Sequence, residues 1–286
     1  MALTTPLVVN KSNRRWYAQF LTAIKTMILK NRAIRRCVAL VLFFLGWQIL
    51  CAINFKFLIN FQLVPSPVEV FKATLDFFTS NPGVHFRSSI QRVILGYAIA
   101  SILAVIVGVA VGWFEKIEDF VMPPLELLRP IPAVAWIPLA ILMFPTSESG
   151  MVYITFIGAF FPILISTIKG VETTLNDTVL VRVGQCLGAK PWHIFKDIVI
   201  PGSLPSIASG LTIGMGNAWF CLVTAEILAG RYGVGYITWE SYVTSNYPPI
   251  VMGMLLIGLM GALSSWAVSQ VMIRLMPWRT IKKQDS

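Results

Sequence analysis

The sequence predicts an all-α, polytopic membrane protein with six transmembrane helices. Three observations carry this. Mean hydropathy is +0.73 and only 13% of residues are charged, a balance outside that of soluble globular domains. Six apolar runs without a charged residue recur at Cys37–Asn54, Val93–Phe114, Ile131–Pro145, Met151–Ile168, Leu204–Ala225 and Ile250–Ile273. Most approach the ~20 residues that a helix needs to cross ~30 Å of hydrocarbon. With both ends inside, all but five of the 23 Lys and Arg fall on the cytoplasmic side; Lys56, Lys72, Arg87, Arg92 and Arg231 remain outside. The positive-inside rule selects that orientation.

Residues 1–36 read as a basic cytoplasmic segment with a helix on the membrane surface. Tyr17, Phe20, Leu21, Ile24 and Ile28 recur at helical spacing, with Lys25, Lys30, Arg32 and Arg35 beside them. The leader is too long for a cleavable signal. Residues 37–275 form the transmembrane domain, and 276–286 a cytoplasmic tail. Between the first two spans, Ser66 is placed to cap a helix that Pro67 opens and Val68–Phe78 continue. Asn81-Pro82-Gly83 ends it.

The second span carries Gly96, Ala100, Ala104, Gly108 and Gly112, each four apart, a stripe read as close helix packing. The third contains or adjoins Pro123, Pro124, Pro130, Pro132 and Pro138, which disfavour a straight helix. Carbonyls freed there must face protein or a water-filled path. The fifth repeats small residues at Ser206, Gly210, Gly214 and Ala218, and adds Asn217, Thr224 and Glu226. Polar interruptions of apolar helices mark candidate path residues: Trp136, Asn217, Trp219, Thr224 and Glu226. Glu226 is equally a gate or a structural hydrogen-bond partner.

Several chemistries are excluded. No Gly-rich loop with Lys-Ser/Thr is present, so a nucleotide must be bound elsewhere. His85 and His193 lack metal-ligand spacing, and Cys37, Cys51, Cys186 and Cys221 predict no disulfide. The basic charge reads as topology and not as nucleic-acid binding. The absence of internal duplication argues against a transporter of inverted repeats.

The polar stretch Leu187–Pro201 lies between the fourth and fifth spans. In it Gly188, Ile198 and Pro201 stand in the register Gly, nine residues, Ile, one residue, Leu-Pro, with Ile200 for Leu. This resembles the cytoplasmic loop of importer-type ABC permeases, although Arg182, Val183 and Gly184 hold the places of its Glu-Ala-Ala. Leu63–Pro67, Glu126–Leu139, Ala225–Tyr236 and Leu275–Trp278 extend the resemblance, over about residues 60–280, to permeases of the nitrate, sulfonate, taurine and bicarbonate group.

The resemblance implies a helix-Gly-helix coupling loop at about 170–203 that docks on an ATPase. Its contact residues would be Arg182, Gly184, Gly188, Ala189, Lys190, Trp192, Phe195, Lys196 and Pro201. It also implies a non-enzymatic permease subunit in a bacterial inner membrane. ATP and Mg are bound by the partner ATPase, a soluble substrate-binding protein sits outside, and a second permease copy or a close relative completes the path. The cargo would be a small oxyanion. Two alternatives stand beside this: an integral membrane enzyme, for which no converging His, Asp, Ser or Cys groups are found, and a non-transporting assembly protein, which would not need the kinked third and polar fifth spans.

Overall fold

In the computed structural model residues 32–53, 63–80, 83–176 and 178–278 are described. The surface helix expected within residues 1–36 falls mostly outside them, as does the end of the C-terminal tail. Every regular element among the described residues is helical. The chain divides into two units, Met1–Phe71 and Lys72–Ser286.

In the first unit, α1 (Arg32–Ala52) is an apolar helix long enough to span a membrane. Helix α2 (Pro67–Thr79) opens with a capping box. Ser66 Oγ accepts the Glu69 N–H at 3.4 Å, and the Glu69 carboxylate accepts the Ser66 N–H at 2.8 Å. The expected Ser66-Pro67 start is therefore present, with Glu69 completing it.

The second unit holds α3 (Gly83–Trp113), α4 (Glu115–Leu128), a 3₁₀ turn (Ala133–Trp136), α5 (Ile137–Met143) and α6 (Ser147–Asn176). These are followed by α7 (Thr178–Cys186), the short α8 (Pro191–His193), a π-helical turn (Ile194–Val199), α9 (Ile200–Ala229), α10 (Val234–Val243) and α11 (Tyr247–Leu275). Helix α6 is the centre: 56% of its most apolar window is buried, against 28% for α3 and 11% for α11.

The small-residue stripes explain how α6 is gripped. A Cβ at Gly96 would meet Thr155, one at Gly108 would meet Thr167, and one at Gly112 would meet Val171. Those contacts dock α3. Toward α9, Gly210 faces Ser166, Gly214 faces Ile163, and Gly170 of α6 faces Ser206 of α9. Lipid gives no hydrophobic push between helices, so close backbone approach and dense dispersion contacts must hold them. The packing role expected for the second-span stripe is the one it performs.

Five described helices are long and apolar enough to span, or six when the bent pair Glu115–Leu128 and Ala133–Met143 counts as one. That pair turns through 84°. Pro123 and Pro124 lie inside α4, which continues through them, whereas Pro130 and Pro132 occupy the break and Pro138 stands in the first turn of α5. The distortion is concentrated at the second proline pair.

Span limits read from hydropathy are too short. The fourth runs to Asn176 instead of Ile168, and the second begins at Gly83 instead of Val93. The fifth is continuous from Pro191, making a 39-residue segment. A hydropathy run stops at the first charge. A helix stops only where its hydrogen-bond ladder stops, and polar residues at its ends find partners or reach the interface.

Candidate functional site

Two regions concentrate the unusual geometry of the second unit. The first is the loop between α6 and α9. Helix α7 ends at Cys186, and Gly188 adopts φ +79°. An L side chain is strained there, which is why glycine occupies the position. Leu187 N–H donates to Val183 O, Gly188 N–H to Gln185 O and Ala189 N–H to Gly184 O, so the orphan carbonyls of α7 are satisfied as the chain reverses. Lys190 is extended, and Pro191 opens the next helix.

This second helix does not end before the membrane. It widens into the Ile194–Val199 π turn and runs on as α9. Pro201 lacks a donor, and its ring crowds the preceding turn, which is where the widening occurs. The helix-Gly-helix arrangement is thus present, and its second helix is the beginning of the fifth span.

The loop side chains sort by exposure. Arg182, Gly188, Lys190, Trp192 and Lys196 are exposed; Ala189, Phe195 and Pro201 are half-buried; Gly184 is buried against Ile198. Trp192 is 65% exposed and Leu187 82% exposed, with Val179, Leu180 and Val183 also exposed on α7. Trp192 stacks on Phe195 at 5.6 Å between ring centroids, and Phe195 meets Trp113 of α3 at 4.9 Å. The aromatic chain therefore connects the loop to the end of α3. Charged residues flank an apolar surface of a kind that a soluble domain rarely leaves uncovered.

The second region joins the opposite ends of α3, α6 and α9. Glu226 is fully buried. Its Oε1 accepts Ser89 Oγ–H at 2.7 Å and Arg92 Nη1 at 2.8 Å, and its Oε2 accepts the Gly235 N–H at 2.9 Å. Arg92 also donates to Tyr232 O at 2.7 Å and holds Glu148 through two nitrogens, Nε to Oε2 at 2.6 Å and Nη2 to Oε1. The Val234 N–H donates to Ser89 Oγ at 3.0 Å, and the Gly233 N–H to His85 Nδ1 at 3.3 Å. Gly233 adopts φ +137°, and a Cβ there would collide with the Glu226 carboxylate. Buried charges are tolerated only when paired and hydrogen-bonded, and this cluster supplies both.

Of the predicted path residues, Trp219 is 5% exposed, and its Nε1 donates to Ser264 Oγ of α11 at 2.8 Å. Asn217 is exposed on α9; Thr224 is half-buried and donates to Phe220 O. Trp136 lies on the 3₁₀ turn at the break of the third span, half-buried, with a buried Nε1 that has no acceptor among the described residues. Trp136 and Trp219 border one apolar cluster that includes Met215 and Leu222. Glu226 belongs to the Arg92 cluster.

Sequence reasoning missed Ser89, Arg92 and Glu148. The signal was present: a carboxylate at the end of an apolar helix implies a cation of the same depth, and Arg92 borders the second apolar run. Among the described residues no group of His, Cys, Asp and Glu could hold a metal ion.

Residues 96–278 match the family described as binding-protein-dependent transport system inner membrane component. The chain belongs to that family. A putative ABC transporter permease protein of Methanocaldococcus jannaschii is 40% identical over 68% of this chain and 73% of its own length. The nitrate import permease protein NrtB of Synechocystis is 30% identical over 83% of this chain and 87% of its own. The taurine transport system permease protein TauC of Escherichia coli is 28% identical over 77% and 82% respectively. The chain is accordingly a multi-pass ABC permease subunit and not an enzyme; ATP hydrolysis belongs to a partner ATPase. The membrane-enzyme and assembly-protein readings fall with this assignment.

Proposed function

We propose that this permease forms, with a second copy of itself, the path by which a small oxyanion enters the cell, and that the Gly188 loop couples the path to ATP hydrolysis by docking on the partner ATPase. The observation that carries the coupling role is the left-handed Gly188 turn set between exposed apolar side chains, Leu187 and Trp192 above all. A stiff turn joined to α9 without a break is suited to pass a push from the loop into the fifth span. ATP and Mg are bound on that partner. Both termini and the loop are cytoplasmic in the bacterial inner membrane, as the distribution of Lys and Arg favours.

For cargo, the nitrate and taurine permeases among the relatives favour nitrate or a sulfonate. A permease served by a separate binding protein needs only transient donors along its path. The exposed amide of Asn217 on α9 supplies such a donor, and the half-buried Trp136 at the kink of the third span shapes the path beside it. Trp219, Thr224 and Glu226 support the path from behind.

The decisive experiment is co-purification of the ATPase with the Gly188→Val and Trp192→Ala variants, with substrate-stimulated ATP turnover measured in parallel. Gly188→Val should lose association or turnover while inserting normally. Wild-type values in both variants would reduce the loop to a surface connection. A ligand screen on the binding protein, comparing nitrate, taurine and bicarbonate, settles the cargo.

A further inference from the structure

We propose that the groove between α3 and α6 is a binding site for one phospholipid whose headgroup carries a primary ammonium, of the phosphatidylethanolamine class. The groove encloses about 780 Å³. Its floor is largely apolar: Leu95, Ile99 and Leu103 of α3 stand one turn apart, with Val152, Tyr153 and Phe156 of α6 lining the other wall. Leu95 is 55% exposed and Leu103 is 44% exposed, so no other helix of the second unit covers the floor. Its head is polar and formed by Ser88, Gln91, Arg92, Glu148 and Ser149.

The dimensions fit one leaflet. Eleven helical residues separate Arg92 from Leu103, about 16 Å at the α-helical rise, and half of a ~30 Å hydrocarbon core is ~15 Å. An acyl chain lying on the floor therefore brings its glycerophosphate to the level of Arg92. Water would gain nothing along such a floor, and a small oxyanion would leave most of it bare.

Charge chooses the headgroup. Arg92 is buried, and its charge is matched by the buried Glu226. The Glu148 carboxylate is then in excess, and its side chain is 61% exposed. Each of its oxygens accepts one Arg92 N–H, and a carboxylate has about four acceptor positions. A primary ammonium fills the open positions with charge-assisted hydrogen bonds. A choline headgroup has no N–H to donate. A glycerol headgroup likewise has no ammonium to set against the Glu148 charge. The Ser88 hydroxyl and Gln91 amide remain as donors to the lipid phosphate.

The test is native mass spectrometry of the full chain in detergent, titrated with phosphatidylethanolamine, phosphatidylcholine and phosphatidylglycerol of identical acyl chains. Wild type should retain the ethanolamine lipid about tenfold more tightly than the choline lipid, a ratio that one charge-assisted hydrogen bond sustains. Ile99→Trp and Leu103→Trp each fill the floor from an exposed position and should abolish retention, with circular dichroism confirming the fold. Glu148→Gln should bring the two lipids to equal affinity while keeping total retention. Equal retention of all three lipids by wild type, a preference for phosphatidylglycerol, or undiminished retention in both tryptophan variants would overturn the site. So would efficient cross-linking of an Ile99→Cys variant to a second copy in native membranes, because protein would then cover the groove.

Discussion

Glu226 shows how one buried carboxylate can hold a whole end of a membrane protein. Ser89, Arg92 and the Gly235 N–H all donate to it, and through Arg92 it reaches Glu148 and Tyr232. Removing either member of a buried ion pair leaves an uncompensated charge, at a cost of about 3–5 kcal/mol. Arg92→Met should therefore lower thermal stability in detergent far more than Arg87→Met, which changes an exposed residue of the same helix. Equal melting temperatures for the two variants would show that the cluster carries no stability. Gly233→Ala probes the same cluster through the backbone. A Cβ at φ +137° strains the chain and overlaps Glu226, so a loss of about 1–3 kcal/mol is expected in the same melting assay. Glu226→Gln separates the two roles open for this residue. If its uptake falls in proportion to the amount of folded complex, Glu226 is structural. Lost uptake with full assembly identifies a gate.

At the scale of elements, the grip of α3 and α9 on α6 depends on missing side chains. A Cβ at Gly108 would stand 2.8 Å from Thr167 Cβ and 3.1 Å from the Leu164 carbonyl. Backbone cannot rotate away as a side chain can, so Gly108→Leu should separate α3 from α6. The expected cost is about 1–3 kcal/mol or more, read as lower melting temperature and faster proteolysis. At Gly216 of α9 a Cβ would point into open space. Gly216→Ala is the matched control and should hold or gain stability, since glycine inside a helix costs about 1 kcal/mol relative to alanine. The aromatic chain Trp192, Phe195 and Trp113 links the loop to α3. Trp113→Ala removes the end of that chain. It should reduce stimulated ATP turnover more than ATPase association, because it touches the support of the loop and not its exposed surface.

For the whole molecule, the distribution of Lys and Arg favours one orientation, and labelling can read it. Cys37 and Cys186 are exposed and would react first, so all four native cysteines are replaced before single cysteines are placed by Lys190→Cys and Ser80→Cys. An impermeant maleimide should label these two from opposite sides of a sealed membrane. Labelling from one side would sink the six-span arrangement, because an odd number of crossings must separate the two positions. A single chain opens its α9 face, with Asn217 and Phe220, outward. Asn217→Leu should lower uptake while leaving co-purification of the second copy and the ATPase intact.

Much of this protein was legible from composition, spacing and a family resemblance. Apolar runs longer than a bilayer is thick force helices, since an unsatisfied backbone cannot be left in hydrocarbon. Resemblance to the permease loop motif located the Gly188 turn, Ser66-Pro67 located the start of α2, and small residues four apart marked the packed faces. These are local signals, set within a few turns of one segment. The Arg92 cluster is of another kind. Its members lie 56 and 134 residues apart along the chain, and nothing in the local pattern of Arg92 names Glu148 or Glu226 as its partners. The 84° break was similarly open: five prolines stood in one stretch, and it took the packing of α4 on α3, and of the 3₁₀ turn and α5 on α6 and α9, to show that the helix runs through Pro123 and Pro124 and turns at Pro130 and Pro132. Local pattern determines which segments must be helical, because each backbone group has to be satisfied within its own helix. Which helices touch, and which charges meet, depends on close fit between distant surfaces, and that was decided by the tertiary structure.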